Sequence, residues 1–558
     1  MEVAGRIVDV VERRIFKGRL VVENGRIVAL YEGREAPSPF ILPGFIDAHI
    51  HIESSLLPPS EFARLSSIHG TVAAVCDPHE IANVLGLEGI EFMLENGKRV
   101  RFHFLFGAPP CVPATIFESS GASIGPWEIE ELLRREEIGF LAEVMDVEGI
   151  LEAREDLMAK IEAAKRRRKP IDGHAPGLRG EALKRYVACG IQTDHETEQL
   201  EEAEEKLANS MRLILRYGSA SKAFERLLPV LAREPRRCMF GSDDKAPDGL
   251  VQGHIDEMVR KAVASGYELF DALYCACVAP REHYSLRTGL LKVGDSADFI
   301  IVDDLHSFNV LQTFVAGECV ALRGRTLIPR VPVARPNSFA PKMVGLEDLW
   351  IPAEKGRIRV IEIEEGSLLT KMVTCQPKIE NGAVVPDVQR DVLKAVVLER
   401  YKASRPGIGF VKGFGLKEGA LASSILHDSH HVVALGTQDD LIVEALRTLF
   451  EARGGLCFVS KTASLLLPLP IAGLMSDEDG FLVASRYEEM NDLVRSYGCP
   501  LRSPFMSLSF IGLPVIPEIR LTTRGLFHVS EGKPVSLFFQ GEEGRSDGHN
   551  CASSASMV

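Results

Sequence analysis

Two histidines near the start of the chain have the spacing of a metal site. In the segment Asp47-Ala-His-Ile-His51 they are separated by one residue, within an apolar stretch that is predicted to be a β-strand. Because side chains alternate between the two faces of a strand, His49 and His51 lie on one face and can reach the same ion. On its own the pair indicates only that a metal can bind.

Four more potential ligands end other predicted strands further along the chain. They are Glu143, His174, His195 and Asp243. A single histidine at a strand end is more often a hydrogen-bonded structural residue than a ligand. Six candidates at the same ends of their strands are not expected from unrelated placement, because the carboxyl ends of barrel strands share one face. Nitrogen and carboxylate ligands of this kind suit zinc, iron or manganese.

The candidate ligands belong to a repeated unit in which a short apolar strand is followed by a helical stretch. The eight predicted strands are Phe45–His51, Thr71–Cys76, Arg101–Phe106, Gly139–Met145, Pro170–His174, Gly190–His195, Met211–Tyr217 and Arg237–Ser242. Strands that alternate with helices predict parallel βαβ units, and eight of them over residues 45–285 predict an α/β fold, a (βα)8 TIM-like barrel. The active site of that fold lies at the carboxyl ends of the strands.

Two stretches in which apolar and polar residues alternate, as they do in strands, flank the predicted barrel. They are residues 1–44 and 286–340. The first contains Asn24-Gly25, a strong signal for a tight turn between two strands. We expect the two stretches to form one small β-sheet domain into which the barrel is inserted.

The chain of 558 residues is too long for one hydrophobic core, since single cores stop growing at roughly 250–300 residues. Residues 341–558 bring new strands and a helix that is predicted over Asp439–Arg453. We expect a separate C-terminal α+β domain here.

The composition excludes several classes of protein. The formal net charge is −14 at pH 7, whereas nucleic-acid binding depends on Lys and Arg that neutralise phosphates, so no nucleic-acid partner is expected. No run approaches the roughly 18–20 apolar residues that span a bilayer, so no membrane partner is expected. Charges interrupt the N-terminal stretch where a signal peptide would need an apolar run, and the eleven cysteines are scattered. We therefore expect a cytoplasmic protein.

The motifs resemble a known superfamily and, within it, one family. The run LPGFIDAHIH (42–51), followed by His174, His195 and Asp243, resembles the amidohydrolase superfamily, and the flanking segments look like its small β-sandwich domain. Longer strings resemble the prokaryotic adenine deaminase family. These strings are HIHIESSLLPPSEFAR (49–64), VCDPHEIANVLG (75–86), AEVMD (142–146), DGHAPGL (172–178), TDHE (193–196), GSDD (241–244) and, in the C-terminal part, FVKGFGLKEGALASSILHDSHHVVALG (410–436).

The resemblance implies an enzyme and its cofactors. Many amidohydrolases bridge two metal ions with a carboxylated lysine at the end of the fourth strand, but that strand ends in Glu143 here, as is expected for adenine deaminases. The resemblance implies two divalent ions per chain, Mn²⁺ or Fe²⁺, bound by His49, His51, Glu143, His174, His195 and Asp243. It also implies hydrolytic deamination of a small purine base, adenine, to hypoxanthine and ammonia in purine salvage. A homo-oligomer is expected, with a dimer favoured.

Under this interpretation several side chains have a chemical role. A metal pair about 3.5–4 Å apart holds a bridging water and lowers its pKa, so that hydroxide attacks the ring. Asp243 is expected to bind a metal and to accept the proton of that water. The ring also needs an acid, for which Glu80 is favoured and Glu53 competes. Asp244 and His430 are expected to bind substrate, although a structural network around His430 is at least as plausible.

Two other functions remain open at this stage. The same site serves many substrates, so an amidohydrolase that acts on a different heterocycle or opens a cyclic amide is the first alternative. A barrel that has lost catalysis and acts as a scaffold is the second alternative. Such a scaffold is expected to have lost metal ligands, whereas all six candidates are present here.

Overall fold

The computed structural model describes residues 1–34, 39–219 and 223–539, and its central body is a set of eight parallel strands. Barrel strands 1 to 8 are, in order, Phe45–Ile50, Thr71–Cys76, His103–Ala108, Ile138–Val144, Ile171–Gly173, Thr193–Asp194, Arg212–Arg216 and Cys238–Gly241. Each begins and ends within about two or three residues of its predicted position. Strands 1 to 5 form one parallel sheet and strands 6 to 8 form another.

Backbone hydrogen bonds connect the two parallel sheets at both of their edges. The amide of Gln192 donates to the carbonyl of Ile171, 2.9 Å away, which joins strand 6 to strand 5. At the other edge the amide of Asp243 donates to the carbonyl of His49, again at 2.9 Å, which joins the end of strand 8 to strand 1. This curled arrangement is consistent with a TIM-like barrel.

Helices follow the strands and cover the outside of the barrel. They are Pro59–Ser66, His79–Leu85, Leu87–Gly97, Pro126–Arg134, Val147–Leu151, Glu155–Arg166, Gly180–Ala188, Leu200–Ala208, Phe224–Leu227, Pro247–Gln252, Ile255–Ala264, Leu269–Leu273 and Ala279–His283. Helix Ile255–Ala264 shows why they pack there, since Ile255, Met258, Val259 and Ala262 form one buried apolar face. Burial stabilises each large side chain of that face by about 1.5–3 kcal/mol.

The two flanking stretches form a single eight-stranded sheet. In spatial order its strands are Arg325–Thr326, Glu318–Leu322, Val310–Val315, Phe299–Val302, Phe40–Pro43, Glu2–Asp9, Arg14–Glu23 and Arg26–Glu32. The predicted turn is confirmed, because Asn24 and Gly25 have φ angles of 49° and 76°, the left-handed region that a tight hairpin turn requires. A two-layered sandwich stays a prediction.

The junction between this sheet and the barrel depends on Gly44. Strand Phe40–Pro43 pairs with Phe299–Val302, and after one residue the chain enters barrel strand 1. A Cβ atom on Gly44 would lie 2.3 Å from Cγ1 of Val72, so no larger residue fits without a shift. The flanking sheet is therefore held directly against the start of the strand that carries His49 and His51.

The C-terminal part of the chain contains a nine-stranded sheet. Eight strands follow one another in the order Lys371–Cys375, Arg357–Glu362, Gly407–Lys412, Leu393–Leu398, Val432–Gly436, Ala420–Ser423, Gly455–Val459 and Ser464–Pro468, and Phe538–Phe539 pairs with the second of them. Two small sheets pair Lys378–Glu380 with Ala383–Val385, and Ile519–Thr522 with Gly525–His528 and Lys533–Pro534. The helices are Asp439–Ala452, Gly480–Ser496 and Pro504–Ser509.

The first of these helices ends one residue before its predicted boundary, because Arg453 adopts a left-handed φ of 59°. The end of the predicted C-terminal domain, residues 540–558, lies outside the described residues. Among the helices of the described ranges, none has the length and apolar character needed to cross a bilayer.

Candidate metal centre

The two histidines of barrel strand 1 point to the same place as the aspartate that ends strand 8. The Nε2 atoms of His49 and His51 lie 3.2 Å apart, and Oδ1 of Asp243 lies 3.6 Å from the first and 3.3 Å from the second. All three residues are buried. The structure therefore brings these three candidate ligands together at one end of the barrel.

Glu143, at the end of strand 4, lies between this group and the remaining histidines. Its Oε1 atom is 3.1 Å from Nε2 of His51, while its Oε2 atom is 2.7 Å from Nδ1 of His174 and 3.2 Å from Nε2 of His195. Each carboxylate oxygen thus faces a different set of nitrogens, which is the arrangement of a bridging ligand. Burial raises the pKa of Glu143, but His195 and His174 outweigh it and hold that pKa well below its usual value.

Several buried imidazole nitrogens at this centre have no hydrogen-bond partner in the described part of the chain, as is expected of side chains that bind a metal. Nδ1 of His49, Nε2 of His174 and both ring nitrogens of His195 are buried and have no hydrogen-bond partner among the described residues. Buried polar atoms of this kind are normally satisfied, and a metal ion would satisfy one nitrogen of each ring that it binds. His51 is oriented by the contact of its Nδ1 with the carbonyl of Asp77 at 3.2 Å, a typical outer partner of a metal-binding histidine.

A buried hydrogen-bond network also holds the ends of strands 1 and 8 in register. Asp47, in strand 1, accepts hydrogen bonds from the amide of Ser242 at 3.0 Å and from Nε2 of His254 at 2.8 Å. His254 in turn contacts the hydroxyl of Thr71, in strand 2, through Nδ1 at 2.7 Å. Because Asp47 lies two residues before His49 and Ser242 one residue before Asp243, this buried network fixes the relative positions of ligands from opposite ends of the barrel sequence.

Arg216, which ends barrel strand 7, contacts the candidate ligand Asp243, and the sequence interpretation missed it. Its Nη1 atom donates to Oδ2 of Asp243 at 2.5 Å, and its Nη2 atom donates to Oε2 of Glu196 at 2.7 Å. Only 1% of the residue is exposed. Its position at the end of a buried strand was a usable signal, because an arginine is rarely buried there without a carboxylate partner.

Glu80, the favoured acid, lies in the first turn of helix His79–Leu85 and contacts the C-terminal domain. Its Oε1 atom is 2.5 Å from Nδ1 of His427, and its Oε2 atom contacts Nε2 of His430. Burial lowers the pKa of His427, but Glu80 outweighs it and raises that pKa to about 9. His430 therefore lies against Glu80, and its predicted contact with substrate stays a prediction.

The remaining two carboxylates have different surroundings. Asp244 accepts a hydrogen bond from Oγ of Ser54 at 2.5 Å, and its pKa is raised by burial and by the adjacent Asp243. Glu53 accepts from the amide of Ile81 at 3.1 Å, and burial raises its pKa to about 7. Asp244 lines the cavity described next, whereas Glu53 contacts the first turn of helix His79–Leu85, which carries Glu80.

A small cavity opens beside the ligands. The barrel contributes a polar wall, and the C-terminal domain contributes His427, Asp428, Phe510, Leu513 and Ile516. The ring of His427 stacks on that of Phe510, with centroids 4.3 Å apart and planes 8° from parallel. Most of the lining side chains are charged or polar, and Met145, Phe510, Leu513 and Ile516 supply the apolar part, so the cavity suits a small ligand with several hydrogen-bonding groups.

The sequence interpretation missed most of these wall residues because the segments that carry them are far from the barrel in sequence. His79, which also lines the cavity, lies within a motif that was noted, but no role was assigned to it.

Comparisons with known proteins agree with this geometry. Residues 40–220 and 219–320 match the amidohydrolase family, and residues 367–533 match the adenine deaminase C-terminal domain. A β-aspartyl dipeptidase from Fervidobacterium islandicum aligns in structure with a TM-score of 0.45 and 16% identity, over 58% of this chain and 98% of that chain. The parallel-strand fold and the cluster of histidines and carboxylates define a metal-dependent hydrolase of the amidohydrolase class.

Relatives that align with nearly the whole chain identify one family within this class. An adenine deaminase of Salinibacter ruber is 49% identical over 527 residues, which cover 94% of this chain and 96% of the relative. An adenine deaminase of a Sulfurovum species is 49% identical over 528 residues, which cover 94% of this chain and 98% of the relative. The chain belongs to the adenine deaminase family.

Proposed function

We propose that this chain is an enzyme that hydrolyses adenine to hypoxanthine and ammonia. The observation that carries the proposal is the position of Glu143, whose two carboxylate oxygens face separate groups of histidines beside the cavity. The likeness to adenine deaminases over 94% of the chain supports adenine as the substrate. Purine salvage is the corresponding role in the cell.

The ligand set divides into two groups that would each hold one divalent ion. His49, His51 and Asp243 form the first group, and His174 and His195 form the second, with Glu143 between the two groups. Mn²⁺ or Fe²⁺ suits these nitrogen and carboxylate donors. A pair of such ions supplies Lewis acidity and makes a hydroxide nucleophile available at neutral pH.

Asp243 is positioned to take the proton that the nucleophile loses. Its Oδ1 atom faces the ligand cluster, while Arg216 holds Oδ2 at 2.5 Å and so fixes the plane of the carboxylate. Asp243 has a left-handed φ of 53°, a strained conformation that is common at functional sites. Arg216 is itself held by Glu196, so the orientation of the proton acceptor depends on a chain of three buried charges.

Glu80 and His427 are positioned to deliver a proton to the ring nitrogen beside the carbon under attack. Both side chains line the cavity, and they share a hydrogen bond of 2.5 Å. Because Glu80 raises the pKa of His427 to about 9, the pair carries a proton at neutral pH. Asp244, which offers a carboxylate oxygen within 4.8 Å of Glu80 and His427, is available to bind the leaving amine or the ring.

Steady-state assays with a set of related rings test the function. Ammonia release is measured with adenine, adenosine, guanine, cytosine and a hydantoin as substrates. We expect kcat/KM for adenine to exceed that for the other compounds by at least about tenfold, which corresponds to 1.4 kcal/mol of transition-state binding. Turnover of another ring without turnover of adenine would replace this proposal with a different amidohydrolase activity.

Several finer features stay predictions that accompany this function. They are the domain division into 1–44 plus 286–340, 45–285 and 341–558, the cytoplasmic location and a homo-oligomer, with a dimer favoured. The scaffold alternative is disfavoured because all six candidate ligands converge at one centre.

A further inference from the structure

The cavity beside the metal ligands, which we call the inner cavity, is closed off from solvent. Each residue that lines it is at most 7% exposed. The space between these residues is about 20 Å³, enough for about one water molecule. A bicyclic purine base is much larger than that. Because the proposed substrate must reach the ligands, part of the wall has to move as the base enters.

A second cavity, which we call the outer cavity, lies between segments that follow barrel strands 3, 4 and 5 and the C-terminal domain. Its volume is about 280 Å³. Ile116, which is 68% exposed, lines it, so the outer cavity reaches solvent. The rings of Phe117 and Phe527, with centroids 5.0 Å apart, give it an aromatic surface that suits a planar base.

One side chain and one short segment separate the two cavities. Met145, two residues after Glu143, lines both of them. In the segment 513–517, Leu513 and Ile516 line the inner cavity, whereas residues 514, 515 and 517 line the outer one. The partition is therefore a single layer of residues, with Met145 on its barrel side.

Two other neighbouring cavities are too small to be the route. They share Phe510 and His427, respectively, with the inner cavity, and their volumes are about 30 Å³ and about 20 Å³. Of the three neighbours, the outer cavity is the one with room for a purine base.

Arg520 holds the backbone on both sides of the partition. Its guanidinium donates to the carbonyl of Phe510 at 2.7 Å and to those of Ile516 and Pro517 at 2.8 and 2.9 Å. Because both ends of the segment are fixed, rotation of side chains disturbs fewer contacts than movement of the whole segment. Met145 is suited to such a rotation, since its unbranched side chain has several rotatable bonds.

We propose that the substrate reaches the metal ligands through the outer cavity and that Met145 is the gate between the two cavities. This inference rests on the proposed deamination of adenine. A gate changes the rates of entry and exit by the same factor, because it leaves the free and bound states as they are. A residue that binds the ligand changes the affinity instead, mostly through the dissociation rate.

Stopped-flow binding of purine to the full chain loaded with Mn²⁺ tests the route without turnover. Val515→Trp and Thr115→Trp fill the outer cavity from the C-terminal domain and from the barrel, respectively. We expect each variant to lower both the association and the dissociation rate constant of purine by at least about tenfold, and to leave Kd within about twofold.

Met145→Ala shortens the gate and should raise both rate constants by about threefold or more. Ala334→Trp, which adds the same ring in a separate surface groove beside helix Leu87–Gly97, is the matched control and should keep the wild-type rates. Metal content and thermal unfolding are measured for each variant, to exclude a general loss of structure.

Wild-type rate constants in both cavity-filling tryptophan variants, with their metals bound, would overturn the route. A weaker affinity with an unchanged association rate would also overturn it, because that result is expected of direct contact with the bound base. Unchanged rates in Met145→Ala would overturn the role of Met145 as the gate. Failure of the proposed function is distinguishable, since it would appear as a wild type that binds purine but releases no ammonia from adenine.

Discussion

Nδ1 of His427 lies 2.5 Å from Oε1 of Glu80, although 347 residues separate the two in the chain. His430, from the same C-terminal loop, contacts the other carboxylate oxygen of Glu80. The acid that the barrel offers is therefore oriented by histidines from the C-terminal domain. It follows that the barrel alone does not contain the complete site.

Glu80→Gln should keep the metal ions and lose most of the activity. The amide cannot pass a proton to the ring, and positioned acid catalysis contributes about 10²- to 10⁴-fold to rate. We expect kcat to fall by that factor while elemental analysis shows wild-type metal content. Glu88→Gln, at an exposed site in the next helix, is the control and should behave as wild type. An unchanged kcat in Glu80→Gln would remove this residue from the proton path.

The activity should decrease in alkaline solution as His427 loses its proton. The pKa of His427 is raised to about 9, by Glu80 against the opposing effect of burial. The pair is therefore protonated below that pH and loses the proton as the pH rises through it, so kcat should fall above about pH 9. A kcat profile between pH 6 and 10.5 checks this. In His427→Asn the alkaline limb should vanish together with most of the activity, and a limb that persists there would have another origin.

Glu143→Gln should disrupt the metal pair. One amide cannot bridge two cations as a carboxylate does, since only one of its two donor atoms is an oxygen. We expect at most about one ion per chain and a loss of at least about 10²-fold in kcat. Glu136→Gln, at an exposed position ahead of the same strand, provides the comparison. Two bound ions with normal turnover in Glu143→Gln would show that the bridging ligand lies elsewhere.

Arg216→Lys should lower kcat more than it raises KM. A lysine ammonium cannot make the forked contact that joins Asp243 to Glu196, so the proton acceptor loses its fixed orientation. We expect a fall of about 10- to 100-fold in kcat, and a lower melting temperature because two buried carboxylates are less well paired. Arg212→Lys, in the same strand but at its half-buried start, is the matched control. Equal kinetics for the two variants would count against a positioning role.

The strands of the barrel and their ligands were predictable because their signals are local. Each buried strand is a short apolar run. The candidate ligands lie at or next to the carboxyl ends of five of these strands, and they are His49, His51, Glu143, His174, His195 and Asp243. The period of two along a strand and the rule for the active face of a barrel are then sufficient to bring them together.

Other parts of the site were not predictable because they depend on contacts between distant segments. Phe510, Leu513 and Ile516 reach the cavity only through the packing of the C-terminal domain over the barrel. Arg216 was visible in the sequence, but its role requires knowing that strand 7 places it between Glu196 and Asp243. The sequence does not decide between Glu53 and Glu80 as the acid. The contacts of Glu80 with His427 and His430 distinguish the two residues.

The central claim is that a metal pair in this chain deaminates adenine, and a metal titration tests it most directly. The full chain is freed of metal with a chelator and titrated with Mn²⁺ or Fe²⁺ while hypoxanthine and ammonia are measured with adenine as substrate. The account predicts equal amounts of the two products, with activity that rises to a plateau at about two ions per chain. No hypoxanthine at any metal concentration, or full activity in the metal-free chain, would contradict it.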